Sequence, residues 1–139
     1  MIQFWTTGAD APSEDIVIRR NQLVAGRDLT QSIFMRNEMV DTGKAGPEMF
    51  YRNVAIEDNV IVNAHQWGIM LGETEGAKIA DNRVLHSPLI REMNGKPTKA
   101  PLIKVAERSR NVVIERNIAG NFWGYKDQPD WTVAENVTL

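Results

Sequence analysis

His65 and Lys104 are the two side chains of this chain best placed to move a proton. His65 stands in Asn63-Ala64-His65-Gln66-Trp67-Gly68, at a turn that leads into an apolar run. An imidazole there can act as acid or base near neutral pH. Lys104 lies inside the run Leu102-Ile103-Lys104-Val105, so its ammonium projects between apolar neighbours. Abstracting a proton next to a carboxylate needs such a base, together with a cation that neutralises the enolate. Glu73 and Glu107 follow two matching apolar runs and can offer oxygen ligands to calcium. Arg36 supplies a cation for a carboxylate group. Trp67 and Trp123, each next to a glycine, supply indole faces for a sugar ring.

Each of these side chains also has a plainer use. Surface charges pair across neighbouring turns of a repeat, at about 0–1 kcal/mol per pair. An Asn-Ala-His turn can hydrogen-bond its own backbone. Tryptophans are usually largely buried. His86 opens a loop rich in Gly, Pro and Lys and reads as a polar loop residue.

The elements that must position these groups are short β-rich runs with a repeating corner. Asparagines 21, 59, 82, 117 and 136 each end a β-branched run and are followed at once by a second short run, as in Ile16-Val17-Ile18 and then Gln22-Leu23-Val24. A third run recurs at 32–35, 68–71 and 102–105. A strand–Asn–strand unit recurring at this spacing marks a solenoid, and its apolar sets align as internal ladders. Alternation points Ile33, Ile69 and Ile103 inward with Met35, Leu71 and Val105, and leaves Phe34, Met70 and Lys104 in an outward row. The five asparagines are expected to stack and exchange side-chain amide bonds.

The asparagine spacings are 38, 23, 35 and 19 residues. The long spacings contain insertions, expected as external loops at 40–49 and 86–101, with a shorter excursion at 25–31. The segment 2–5 reads as the third strand of a coil, and 137–139 as the second strand of another. Such open ends expose backbone and apolar ladders. Residues 1–139 are therefore expected to form a single domain, a piece of a longer helix or one whose ends meet further coils or a homo-oligomer partner.

Composition narrows the field. Sixteen basic residues balance eighteen acidic ones, so no basic surface of nucleic-acid type is expected. The apolar runs are too short for a membrane span, and no secretory leader is visible at the start of the chain. With no cysteine, disulfides and thiolate metal sites are excluded.

The stretch from Arg52 to Leu85 resembles the right-handed parallel β-helix repeat of the pectin-lyase-like superfamily, and the same coil pattern covers residues 14 to 139 apart from the two long insertions. The resemblance implies an all-β, right-handed parallel β-helix of about four to five coils. It further implies a carbohydrate-engaging module of an extracellular or secreted bacterial protein, similar to polysaccharide lyases and uronate epimerases. The alternative is a non-catalytic structural or adhesive stalk, including a virion-associated spike. The Asp-Pro-His run of alginate epimerases, the Gly-His-Gly of polygalacturonases and the Trp-Ile-Asp-His of pectate lyases do not occur, nor does the calcium-binding GGxGxD nonapeptide. On this resemblance the catalytic candidates are His65 and Lys104. The substrate-binding ones are Trp67, Arg36 and Trp123, and the calcium ligands are Glu73 and Glu107.

Overall fold

The computed structural model describes residues 1–26, 30–93 and 95–139; part of the 25–31 excursion, residues 27–29, lies outside the described residues. In chain order the strands are β1 (Ile2–Thr6), then β2 (Glu14–Arg19), β3 (Gln22–Val24) and β4 (Ile33–Asn37). The next coil holds β5 (Tyr51–Glu57), β6 (Val60–Asn63) and β7 (Trp67–Leu71). It is followed by β8 (Thr74–Ala80), β9 (Arg83–His86), the small pair β10 (Glu92–Met93) and β11 (Lys96–Pro97), and β12 (Leu102–Val105). The last are β13 (Arg110–Glu115), β14 (Ile118–Ala119), β15 (Phe122–Trp123), β16 (Thr132–Ala134) and β17 (Val137–Thr138). Strands at the same position in successive coils pair in parallel, giving three five-stranded sheets: β1-β4-β7-β12-β15, β2-β5-β8-β13-β16 and β3-β6-β9-β14-β17. This is the signature of the right-handed parallel β-helix, the fold of pectin-lyase-like proteins.

The inward rows are those the alternation predicts. Ile33, Ile69 and Ile103 stand in register with Ile2 and Phe122, and Met35, Leu71 and Val105 lie one pleat further on, all fully buried except at the ends. Ile18, Ile56, Ile79, Ile114 and Val133 form the matching row of the second sheet. Outside, the charges alternate: Glu14, Arg52, Glu75 and Arg110 occupy one row, with ion pairs Arg52–Glu14 and Arg110–Glu75. Such exposed pairs contribute about 0–1 kcal/mol each. They act more as a register preference than as a source of stability.

The asparagine ladder forms at the corner between the second and third sheets. In each step the backbone N–H and the side-chain Nδ2 of one asparagine both donate to the Oδ1 of the asparagine in the following coil, from Asn21 to Asn59, Asn82, Asn117 and Asn136. The second Nδ2 proton of Asn59, Asn82, Asn117 and Asn136 goes back to a carbonyl of the coil before, Ile18, Ile56, Ile79 and Ile114 respectively. The residue before each asparagine, Arg20, Asp58, Asp81, Arg116 or Glu135, takes a positive φ of 52–58°. That left-handed residue makes the bend tight enough to turn the asparagine side chain inward, a conformation L-residues other than Gly, Asn and Asp enter at some cost.

The two insertions differ. The 86–101 segment carries a short antiparallel hairpin, β10 with β11. The 40–49 segment, expected as an exposed loop, instead begins with a short helix, α1 (Glu38–Asp41), and ends in a 3-10 turn at Pro47–Met49. Val40, Met49 and Phe50 bury themselves in a small separate cluster with Ala9 and Ala45 at its edge. The Asn37 side chain caps α1 by accepting from the Val40 N–H and donates to the Met49 carbonyl, which ties both ends of the insertion to β4.

Asn82 is fully buried with every polar atom engaged, whereas Asn21 is half-exposed at the edge of the ladder. Replacing Asn82 by alanine strands several buried partners, so Asn82→Ala is expected to lower the urea-unfolding free energy by about 3 kcal/mol or more. Asn21→Ala should cost less than about 1 kcal/mol. Equal effects at the two positions would remove the ladder as the source of stability.

Candidate functional site

Parallel register sets the outward row of the first sheet: Gln3, Phe34, Met70, Lys104 and Trp123 lie side by side across the coils. Lys104 and Trp123 are therefore direct neighbours. Trp67 reaches the same spot from the start of β7, where the register against β12 shifts between Leu102 and Ile103. The two indoles meet edge to face with ring centroids 5.6 Å apart, and the Lys104 Nζ stands 5.2 Å from the Trp67 ring centroid. Trp123 remains 42% exposed. Three of the seven candidate residues thus form one contiguous patch.

Glycine makes this patch possible. A Cβ on Gly124 would lie 1.9 Å from the Val105 carbonyl oxygen, and its φ of +102° excludes most side chains. A Cβ on Gly68 would lie 2.2 Å from Val84. The residues that follow Trp67 and Trp123 have no room for a side chain, because the coil closes tightly there.

Trp123 and Asn121 are shared by two adjoining clefts. The larger, about 1070 Å³, lies beside the β10–β11 hairpin and is lined by Gln66, His86, Lys96, Lys99 and Leu102 among others. The smaller, about 670 Å³, holds Lys104, Lys126, Tyr125, Glu107 and Asp127. Four lysines against two carboxylates make the surroundings of Trp123 cationic. Lys96, Lys99, Gln66 and Asn121 were not singled out from the sequence. Their signal was the run Lys96-Pro97-Thr98-Lys99, a basic insertion next to the row that carries Lys104.

The other candidates lie elsewhere. Arg36 lies on β4, the strand beside β7 but toward the opposite end of the strands from Trp67, in register with Trp5, whose ring it covers at 4.9 Å. It is ion-paired with Asp41 at the end of α1, and the Trp5 indole N–H donates to Glu38. Arg36 belongs to the contact that holds the 38–49 insertion, not to the Trp67–Trp123 patch.

Glu73 is not on the outward surface. It is 6% exposed, and its Oε1 accepts from Arg108 at 2.7 and 3.1 Å. The same guanidinium donates to the Val40 carbonyl, so Glu73 and Arg108 brace the insertion against the coil. Its Oε2 has no hydrogen-bond partner among the described residues. Gly72 marks the place where the strand ends and its in–out alternation stops, and Glu73 is covered there through its contact with Arg108. Glu107 is exposed and lines the smaller cleft. Among the described residues no group of three or more His, Cys, Asp or Glu side chains is arranged to hold a metal ion.

His65 serves its own turn, the plainer of its two readings. The Asn63 Oδ1 accepts from the Ala64 and His65 N–H groups, and the His65 Nδ1 accepts from the Trp67 N–H at 3.0 Å. The ring therefore fixes the backbone from which Trp67 projects. Burial lowers the His65 pKa below its usual 6.5, and a ring protonated on Nδ1 cannot keep the bond to Trp67. His86 instead contacts the Thr98 hydroxyl at 2.7 Å, linking β9 to the hairpin.

A histidine pKa that is lower in the folded state means that the unfolded chain binds more protons in the interval between the two values. The stability contributed by neutral His65 is complete above its ordinary pKa and is lost as the pH falls below it toward the folded value. The melting temperature of the wild type is expected to drop between about pH 7 and pH 5 more steeply than that of His65→Gln, with the exposed carboxylates common to both. Parallel pH profiles would show that His65 does not carry this linkage. No protein-family model, curated protein or solved structure matches the chain.

Proposed function

We propose that this β-helix module binds an acidic polysaccharide along the first sheet, across the coils that carry Trp67, Lys104 and Trp123. The observation that supports this reading most directly is the exposed edge-to-face indole pair with an ammonium against it, between two lysine-bearing clefts. An indole face offers a flat apolar surface to the C–H face of a pyranose ring. Lysines on either side offer charge to carboxylates spaced along the chain. A parallel sheet repeats every 4.7–4.9 Å or so, about the rise of one sugar unit, which suits an extended polymer laid across successive coils.

Chemistry on the bound sugar remains a part of the proposal that rests on Lys104, since it faces the cleft while the His65 Nδ1 is already engaged by the Trp67 N–H. Of the two expected calcium ligands only Glu107 is left, because Glu73 is already committed to Arg108, and among the described residues no three such side chains are gathered to hold the ion. An extracellular setting accords with such a ligand. No described helix is long and apolar enough to cross a membrane.

Calorimetric titration with polygalacturonate, alginate and neutral dextran tests the reading. Binding is expected for the two acidic polymers and not for dextran, weakening as salt is raised. Trp123→Ala should weaken it by about 30-fold, the loss of a roughly 2 kcal/mol aromatic anchor. Lys104→Ala should reduce both affinity and salt dependence. Unchanged affinity in Trp123→Ala would reject this surface. Following the ultraviolet absorbance of an unsaturated product in the same samples, with and without calcium and in Glu107→Gln, separates binding from elimination chemistry.

A further inference from the structure

Trp67 is held differently on its two sides. Toward the following coil it stands in register with Leu102, and the Leu102 N–H donates to the Gln66 carbonyl. Toward the preceding coil, β4 and β7 come into register only from Ile33 and Ile69 onward, past Trp67. There the acceptor for the Trp67 N–H is a side chain, the Nδ1 of His65 at 3.0 Å. A titratable ring thus takes the part that a strand carbonyl plays elsewhere in the sheet.

The identity of that atom has a chemical consequence. A neutral ring that accepts on Nδ1 carries its proton on Nε2, so a second proton can go only to Nδ1. The cationic ring then points one N–H at another, donor against donor. His65 is half-buried and next to exposed Gln66, so the ring is within reach of solvent. The first half of the turn is insulated from this event. Asn63 Oδ1 holds the Ala64 and His65 N–H groups, and Asn63 Nδ2 donates to the Thr30 carbonyl and the Ser32 hydroxyl. Asparagine does not titrate, so what is freed is the step from His65 to Trp67.

Among the described residues, the titratable groups set around this turn are basic. His86 on β9 adjoins it, in register with Asn63. Lys96 and Lys99 of the hairpin line the cleft that Ala64 and Gln66 also line, and Lys104 of β12 stands near the Trp67 ring. From the preceding coil the contacts are Thr30 and Ser32, which carry no charge. None of these is a carboxylate that would hold a His65 cation in place, and burial lowers the pKa of the ring below its usual 6.5.

We propose that His65 is a positioning residue whose protonation releases Trp67, so that the indole pair and its ammonium come apart in acid and the bound acidic polysaccharide is let go. This regulation rests on the polysaccharide reading of the same surface. Its sign is opposite to what charge alone gives. Lysines and uronate carboxylates keep their charges between about pH 7 and pH 5, and protonation of His86 adds a cation to the larger cleft. Charge therefore predicts equal or tighter binding in acid, and the His65 contact predicts weaker binding.

Nitrogen-15 NMR of the free 139-residue chain and calorimetric titration with polygalacturonate test this together. As the pH falls from about 7 to about 5, the Trp67 amide is expected to shift and to lose exchange protection, with the same midpoint as the His65 ring nitrogens. Affinity for polygalacturonate should fall about fivefold over that interval, the effect of one lost hydrogen bond. His65→Asn keeps an acceptor, because an asparagine side chain closes the same turn onto the N–H two residues on, and it does not titrate. That variant should match the wild type at the upper pH and hold its affinity to the lower one. His65→Ala should bind at the weakened level at both. Circular dichroism at each pH restricts the comparison to folded chains. A Trp67 amide that ignores the His65 titration would overturn the proposal, as would wild-type affinity that stays flat or rises in acid, or an acid loss in His65→Asn equal to that of the wild type. Absence of polygalacturonate binding at both pH values would overturn the polysaccharide reading instead, and the Trp67 spectra would then decide the coupling by themselves.

Discussion

The asparagine ladder is the interaction on which the rest of the molecule depends. A parallel β-helix can slide one residue along a strand and keep most of its backbone bonds, but such a slip would turn each apolar row outward. Asn59, Asn82 and Asn117 forbid it, because each must place one buried oxygen and one buried amide against partners in two other coils. The energetic asymmetry of buried polar groups makes this specific: a made bond contributes modestly, while an unmade one costs about 1–3 kcal/mol. The left-handed residue before each asparagine is the conformational cost of that arrangement. The ladder thus sets register, and register sets every outward row, including the one that brings Lys104 beside Trp123.

The surface around Trp123 follows from this chain of causes without any special local device. Strands β7, β12 and β15 are aligned by the coil. Tight packing at Gly68 and Gly124 admits no side chain beside either indole, and the hairpin inserted between β9 and β12 adds lysines at one side. His65 contributes from behind by holding the Trp67 N–H. The opposite end of the same sheet is built differently. There Trp5, Arg36, Asp41 and Glu38 clasp the 38–49 insertion, and Arg108 with Glu73 braces it from the next coils. One sheet therefore carries an open end and a covered end.

Much of this was legible from residue order. The period-2 alternation of Ile33-Phe34-Met35 and its counterparts identifies core and surface wherever strands are regular, and the recurring asparagines give the coil. Lys104 joins the outward row by alternation, whereas Trp123 sits in the two-residue strand β15, too short for alternation to place it beside Lys104. Legibility stops where alternation stops. Glu73 lies just past Gly72, at a corner where no periodic rule says which way a side chain turns, and its partner Arg108 comes from a different coil. Helix α1 was hidden for a related reason: Asn37 resembles another corner asparagine, yet its side chain caps a helix by accepting from Val40. Arg36 carried a readable signal, since Trp5 stands one pleat-equivalent away on the neighbouring strand. Using it requires knowing that the 40–49 insertion folds back over that spot.

Within the sheets each strand pairs only with the coil before and the coil after, while at the insertion Arg108 reaches two coils back to the Val40 carbonyl. Stability is then distributed like a one-dimensional lattice with nearest-neighbour coupling. Local opening free energy should be lowest in β1 and β17 and highest near Asn82, so the molecule frays inward from its ends instead of melting from a centre. A coil already formed is also a complete template for the next, bearing its acceptors, donors and apolar rows in order. Growth of the folded region is thus a matter of successive addition of coils, with the slow event confined to closing the first two.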